Sequence, residues 1–171
     1  VESKNRVDLM RIMPPYDDDR ESFIHQHLHR SKRSLTLNLK TPEATEIVKK
    51  LIMDYDIIIE GFRPGVMKRL GIDFETLREV NPRLIYCAIT GYGQTGPFAL
   101  RPGHDNNYLA VAGVLDHSRL KDKKPVAMGI QIADITGGTM HAAVGVLAAV
   151  LHREKTGEGT FIDVSMTDAV F

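Results

Sequence analysis

SLTLNLKTPEATEIVKKLIMDYDIIIE, residues 34–60, sets one helical pattern between two strand patterns. From Ser34 to Leu39 the residues Leu35, Leu37 and Leu39 alternate, as one face of a strand requires. Thr41 and Pro42 then supply a helix N-cap and a first-turn proline. Ala44, Ile47, Val48, Leu51 and Ile52 recur at spacings of three and four, so the helix carries one apolar stripe. Asp56 to Glu60 is a short apolar run of the kind that forms a buried strand. Strand, helix and strand in so short a stretch predict a βαβ unit with parallel strands and a right-handed crossover. The expected fold class is therefore α/β, with a Rossmann-like parallel sheet flanked by helices.

Working outward, Arg63-Pro64-Gly65 breaks the pattern, a short helix is expected over Val66–Leu70, and Asp73 caps another that runs to Val80 before Asn81-Pro82 ends it. Leu84–Thr90 reads as a further buried strand, closed by the glycine-rich loop Gly91–Pro97. In open α/β sheets ligands sit at that edge. Asp134 precedes a long helix, about Ile135–Arg153, that is apolar on most faces and so is expected to be interior; Gly157 and Gly159 lie past its end. Thr160–Met166 alternates as a final strand.

The 171 residues suit one domain with a sizeable core. Hydrophobic residues make up 43% and charged residues 26%, which excludes disordered and disulfide-scaffold classes. Basic and acidic residues balance at 22 each, so no broad field draws the chain to nucleic acid or to an anionic membrane, and an anionic ligand needs a local cluster. No uninterrupted apolar run approaches the roughly 20 residues of a membrane span. The single cysteine, Cys87, lies in the apolar run Leu84–Ile89 and reads as a buried structural thiol in a reducing, cytoplasmic setting.

Three patterns invite chemistry. The loop at 91–96 has the glycines of a dinucleotide fingerprint, which would make the protein a nicotinamide or flavin oxidoreductase, but Pro97, Pro102 and Gly103 stand where the phosphate-binding helix must open. His25, His27 and His29 alternate and would share one face of a strand, yet no acidic or cysteine cluster completes a metal shell. His104-Asp105 is stronger. A histidine beside a carboxylate, entering a helix at the ligand edge, suits a general base near neutral pH. Asp134-Ile135-Thr136-Gly137-Gly138 adds a carboxylate at a helix start, where free N–H groups can hold a developing oxyanion and glycines admit a ligand. Taken alone, Asp134 reads equally well as a simple N-cap.

The segments IIIEGFRPGVMKRLGIDFETLREVNPRLIYCAITGYGQTGP (57–97), GHDNNYLAVAGVL (103–115) and IADITGGTMHAAVGVLAAVLHREKTGEGTFIDVSMTDA (132–169) closely resemble the family III coenzyme A transferases, the CaiB/BaiF superfamily, which includes the α-methylacyl-CoA racemases. The chain resembles the interior of a longer family polypeptide. The resemblance implies an interlocked homodimer acting on acyl-CoA, with coenzyme A as part of the substrate and no metal or redox cofactor. Transferases of the family use an aspartate at the position of Asp134 as a nucleophile that forms an acyl anhydride. Racemases keep that aspartate and add a GHD block, matched here by Gly103-His104-Asp105. That match implies racemisation of a 2-methyl-branched acyl-CoA, with His104 and Asp134 as the proton-transfer groups and Asp105 orienting or charge-balancing the imidazole. The resemblance also places Leu37, Asn38, Leu39, Lys40, Gly61, Phe62, Arg63, Arg69, Pro102, Gly103, Asn106 and Asn107 along coenzyme A. Arg63 and Arg69 suit its phosphates by charge and fork geometry. Ser3 stands where several racemases have an arginine.

Overall fold

The structure, a computed structural model, describes residues 1–3 and 6–171. It forms two compact units, Val1–Ile47 and Val48–Phe171.

In the first unit Asp8 opens a short 3-10 turn, Leu9–Ile12, by accepting the Met10 N–H at 2.9 Å. Ser22 caps α1 (Phe23–His29). The Glu2 carboxylate takes a forked pair of bonds from Arg11, at 2.8 and 3.0 Å, and a third from the Ser34 hydroxyl at 2.8 Å. These donors hold the carboxyl at a pKa of about 2. Among the described residues, the strand expected over Ser34–Leu39 appears as one parallel bridge between Thr36 and Glu2. Alternation makes an extended segment possible, but a ladder needs a neighbour of matching length, and among the described residues its bridge partner is Glu2. The βαβ unit read from residues 34–60 is thus not formed as expected. Its helix is: α2 spans Pro42–Leu51, beginning in the first unit and ending in the second, with Ala44 and Val48 buried in it and Ile52 buried just past its end. His25, His27 and His29 fall on α1 rather than on a strand, so the helical period brings together only His25 and His29, whose rings stack at 4.5 Å.

The second unit carries the sheet. β1 (Ile57–Glu60), β2 (Ile85–Thr90) and β3 (Phe161–Ser165) lie side by side in that order, and both pairs are parallel. Central β2 is buried along nearly its whole length, as a strand covered on both faces must be, and its Cys87 is fully buried. Burial lifts the Cys87 thiol pKa. Between β1 and β2 run α3 (Val66–Arg69) and α4 (Phe74–Val80). Asn81 ends α4 and donates its side-chain N–H to the Ile52 carbonyl at 2.7 Å. α5 (Asp105–Val111) follows the loop after β2.

The long helix is continuous from Ala133 to Thr156, but its first eight residues, Ala133–Met140, are π-helical, and the α-helical part α6 begins at His141. Ala142 packs with Cys87 and Val164 in the sheet core. Gly145 gives close approach, since a Cβ there would come within 3.0 Å of Ile162. The opposite face is uncovered in this chain, with Met140, Val144, Leu147 and Leu151 exposed. The expectation of an interior helix therefore holds on the sheet side only. By length and composition the 24 residues meet the requirement for a membrane span. The same composition serves a helix laid on a sheet, which is what α6 does. At its far end Arg153 reaches the Asp56 carboxylate at 2.9 Å and the Arg83 carbonyl at 3.3 Å, tying the helix to the residues that lead into β1 and β2.

Candidate active site

Parallel strands end together, so three chain segments converge at the carboxyl edge: Gly61–Arg63 after β1, Gly91 after β2 and Met166–Thr167 after β3. The edge is stitched by Met166 N–H to the Thr90 carbonyl at 2.8 Å, and by the Thr167 hydroxyl to the Gly91 carbonyl at 2.7 Å. A cavity of about 430 Å³ opens there. Its walls are Gly61–Pro64, Ile89–Gly91, Ala99, Arg101–His104, Asn107, Tyr108 and Met166.

No helix opens within residues 91–97; the chain runs on in turns, and the next helix is α5 at Asp105. The fingerprint reading of this loop fails for that reason, since a pyrophosphate site needs the helix N-terminus inside the motif. Among the described residues no three His, Cys, Asp or Glu side chains gather as a metal shell.

His104 is the N-cap of α5 and lies exposed on the cavity wall. Asp105 is buried, and its Oδ1 accepts the backbone N–H of Asp134 at 3.0 Å. Asp105 was expected to orient or charge-balance the imidazole; the bond it makes here joins α5 to the helix that carries Asp134. That aspartate is half-buried at the second residue of the π-helical stretch. Burial, then the neighbouring Asp105 charge, raises its pKa, and His104 pulls it partly back. Such an environment suits a carboxyl that both gives and takes a proton.

The oxyanion expectation changes. The N–H of Asp134 is taken by Asp105 and that of Ile135 by the Gln131 carbonyl at 3.1 Å. Gly137 and Gly138 are buried rather than open to a ligand, because a Cβ at either would meet Met166, at 2.7 and 3.2 Å. They bring the helix onto the segment after β3.

Of the residues assigned to coenzyme A, Gly61, Phe62, Arg63, Pro102, Gly103 and Asn107 share the cavity wall. Asn106 is exposed on α5 and off that wall. Arg69 is exposed at the end of α3, beside Gly65, and lines neither this cavity nor its neighbour of about 260 Å³, where Arg63 is joined by Lys68. Leu37–Lys40 belong to the first unit, in the turn where Asn38 accepts the Lys40 N–H at 3.3 Å ahead of α2.

Several wall residues were not singled out from the sequence, and three of them bear on the site. Arg101 adds a cation and rests over the Phe98 ring at 4.4 Å. Met166 closes the floor. Tyr108 is buried against Gly91 and Gly103. Its signal was present: a residue four places after the N-cap turns back over the first turn.

A sequence model of CoA-transferase family III matches residues 1–171. The succinyl-CoA–L-malate CoA-transferase beta subunit of Chloroflexus aurantiacus is 42% identical over 83% of this chain and 35% of its own length. The human α-methylacyl-CoA racemase is 41% identical over 82% of this chain and 37% of its own length. Among solved structures, a CAIB/BAIF family protein from Brucella suis superposes with a TM-score of 0.89 at 34% identity, over 98% of this chain and 45% of that one. The chain thus spans less than half the length of these relatives.

Proposed function

This chain belongs to CoA-transferase family III, and on that premise we propose that it racemises 2-methyl-branched acyl-CoA thioesters by moving a proton at the α-carbon. The observation that supports the reading is that Asp105, the neighbour in sequence of the wall residue His104, accepts the Asp134 backbone N–H at 3.0 Å, and that the Asp134 carboxyl feels the His104 charge. Inversion needs two groups on opposite faces of the carbon, because a single group returning its own proton restores the starting isomer. One group takes the α-proton, and the C–H electron pair moves toward the thioester carbonyl to give an enolate. The acid on the other face then delivers a proton to the carbon, and the carbonyl is restored. Arg63 and Arg101 supply cations for the coenzyme A phosphates. Coenzyme A enters as part of the substrate, and the reaction as written uses no metal or redox cofactor. A homodimer in the cytoplasm is part of the same reading, and the exposed apolar stripe Met140, Val144, Leu147 and Leu151 supports its dimer part.

A second reading is coenzyme A transfer, favoured by relatives that bear transferase names. There the Asp134 carboxylate attacks the thioester carbonyl, the C–S bond breaks, and coenzyme A leaves as thiolate, so that the acyl group remains as an anhydride on Asp134. Incubating the intact protein with a 2-methylacyl-CoA in deuterated water separates the two. The expected result is α-deuterium without any acid acceptor, and loss of inversion by about 10²- to 10⁴-fold in His104→Ala. A hydroxylamine-trappable adduct at Asp134, with most turnover kept in His104→Ala, would falsify the racemase reading.

A further inference from the structure

The peptide unit that joins Gly103 to His104 is gripped at both polar ends by side chains of one helix. The Tyr108 hydroxyl donates to the Gly103 carbonyl at 2.6 Å, and the His104 N–H donates to Asn107 Oδ1 at 2.9 Å. On the far side of the His104 Cα, the His104 carbonyl accepts from the Asn107 N–H at 2.8 Å. A peptide group is planar and stiff, so bonds at both its carbonyl and its N–H restrict how the whole plane can turn. With both flanking planes restrained, His104 keeps its extended backbone, φ −136 and ψ 173, and the direction of its Cα–Cβ bond is restricted with it.

We propose that Tyr108 and Asn107 are positioning residues that aim the His104 imidazole into the cavity by clamping the Gly103–His104 peptide. The proposal rests on the reading of His104 as a proton-transfer group.

Tyr108 is built for such a duty. Its ring is buried, and Tyr92 meets it edge-on at 5.2 Å and 84°. It is wedged between Gly91 at the sheet edge and Gly103 in the loop, where an added Cβ would lie 2.3 and 2.6 Å from the ring. The tyrosine therefore refers the loop bearing His104 to the end of β2. Burial and the Asp134 charge raise the phenol pKa, so the hydroxyl stays a donor over the working range. Asn107 is placed by the first turn of α5, three residues after the cap, where a side chain reaches back to the N-cap N–H.

Both residues also touch the cavity, and the test must separate aiming from substrate contact. Tyr108→Phe in the intact protein keeps the wedge and removes only the bond to Gly103. The readout is α-proton exchange of an acyl-CoA in deuterated water. Expected is a fall in kcat of about 10- to 100-fold, the range for a misaimed catalytic group, with KM little changed. Asn107→Ala should behave alike, and Asn107→Asp, which restores an acceptor, should recover most of the loss. In a His104→Ala background neither Tyr108→Phe nor Asn107→Ala should lower exchange further, because both act through the missing ring. If His104→Ala abolishes inversion while Tyr108→Phe and Asn107→Ala leave kcat intact, or raise only KM, the clamp is wrong and the reading of His104 stands. If His104→Ala leaves inversion intact, that reading falls and takes the clamp with it. Should Tyr108→Phe fail to fold, the Asn107 pair decides alone.

Discussion

The buried carboxylate of Asp105 accepts the backbone N–H of Asp134 at 3.0 Å, so two residues far apart in sequence share one hydrogen bond directly behind the wall residue His104 in the chain. Asp105→Ala leaves that N–H without its acceptor, at a cost of about 1–3 kcal/mol. It also removes the charge that helps to raise the Asp134 pKa. The expected outcome is a lower denaturation midpoint and, where Asp134 acts as the base, an acidic limb of kcat/KM displaced to lower pH. A limb that stays in place in Asp105→Ala would show that the two carboxylates do not feel each other.

The raised Asp134 pKa has a consequence for stability. As pH rises past the ordinary aspartate value of 3.8, the unfolded chain releases this proton first. The folded state then binds more protons, so stability falls through the window up to the raised folded pKa. Asp134→Asn removes that slope. The variant is expected to be the more stable protein near neutral pH, and the gap should close below 3.8. Denaturant titrations at matched pH values measure it; a variant less stable than its parent at neutral pH would reverse the sign.

Arg63 lines the cavity at the carboxyl edge of the sheet and Arg69 does not. Losing a charge-assisted hydrogen bond of about 1.5–3 kcal/mol corresponds to a loss of about 10- to 100-fold in affinity. Arg63→Ala is expected to weaken acyl-CoA binding by that order, and Arg69→Ala by much less. Calorimetric titration of both variants checks the ranking, and equal losses would return Arg69 to the site.

Gly159 shows where the sheet tolerates no side chain. A Cβ there would stand 2.1 Å from the Leu84 carbonyl oxygen, and both sides of that contact are backbone. Gly159→Ala should cost about 1–3 kcal/mol or more, by forcing the start of β3 away from β2. Gly129, with nothing within 4 Å of its added Cβ, is the control, and Gly129→Ala should be close to neutral in the same melt.

The parallel strands at Ile57–Glu60, Ile85–Thr90 and Phe161–Ser165 were legible because buried strands read as apolar runs closed by turn residues. So was the His104–Asp105–Asp134 neighbourhood, since the end of β2 and the start of the long helix belong to the same sheet edge. The strand read from Leu35, Leu37 and Leu39 was not realised, because alternation describes one segment and says nothing of a partner. The bond between Asp105 and Asp134 had no signal: it depends on how two helices meet, not on spacing within either. Gly137 and Gly138 were read as ligand-facing when they face Met166, since a glycine shows only that something comes close. The outer stripe of α6 was read as buried for a similar reason. Apolarity records what a surface avoids, not which neighbour covers it.

The π-helical stretch Ala133–Met140 gives the long helix two separate azimuths. Downstream, buried Ala142 and Ala149, with Gly145 against Ile162, fix the rotation of α6 about its own axis against the sheet. Upstream, the bearing of Asp134 is set by how many residues intervene. Deleting a single residue between Ile135 and Met140 would swing Asp134 by about 100° around the axis, off Asp105, with every residue of the site still present. The aim of this carboxylate is thus written in a residue count rather than in a residue type, and a survey of substitutions alone would pass over it.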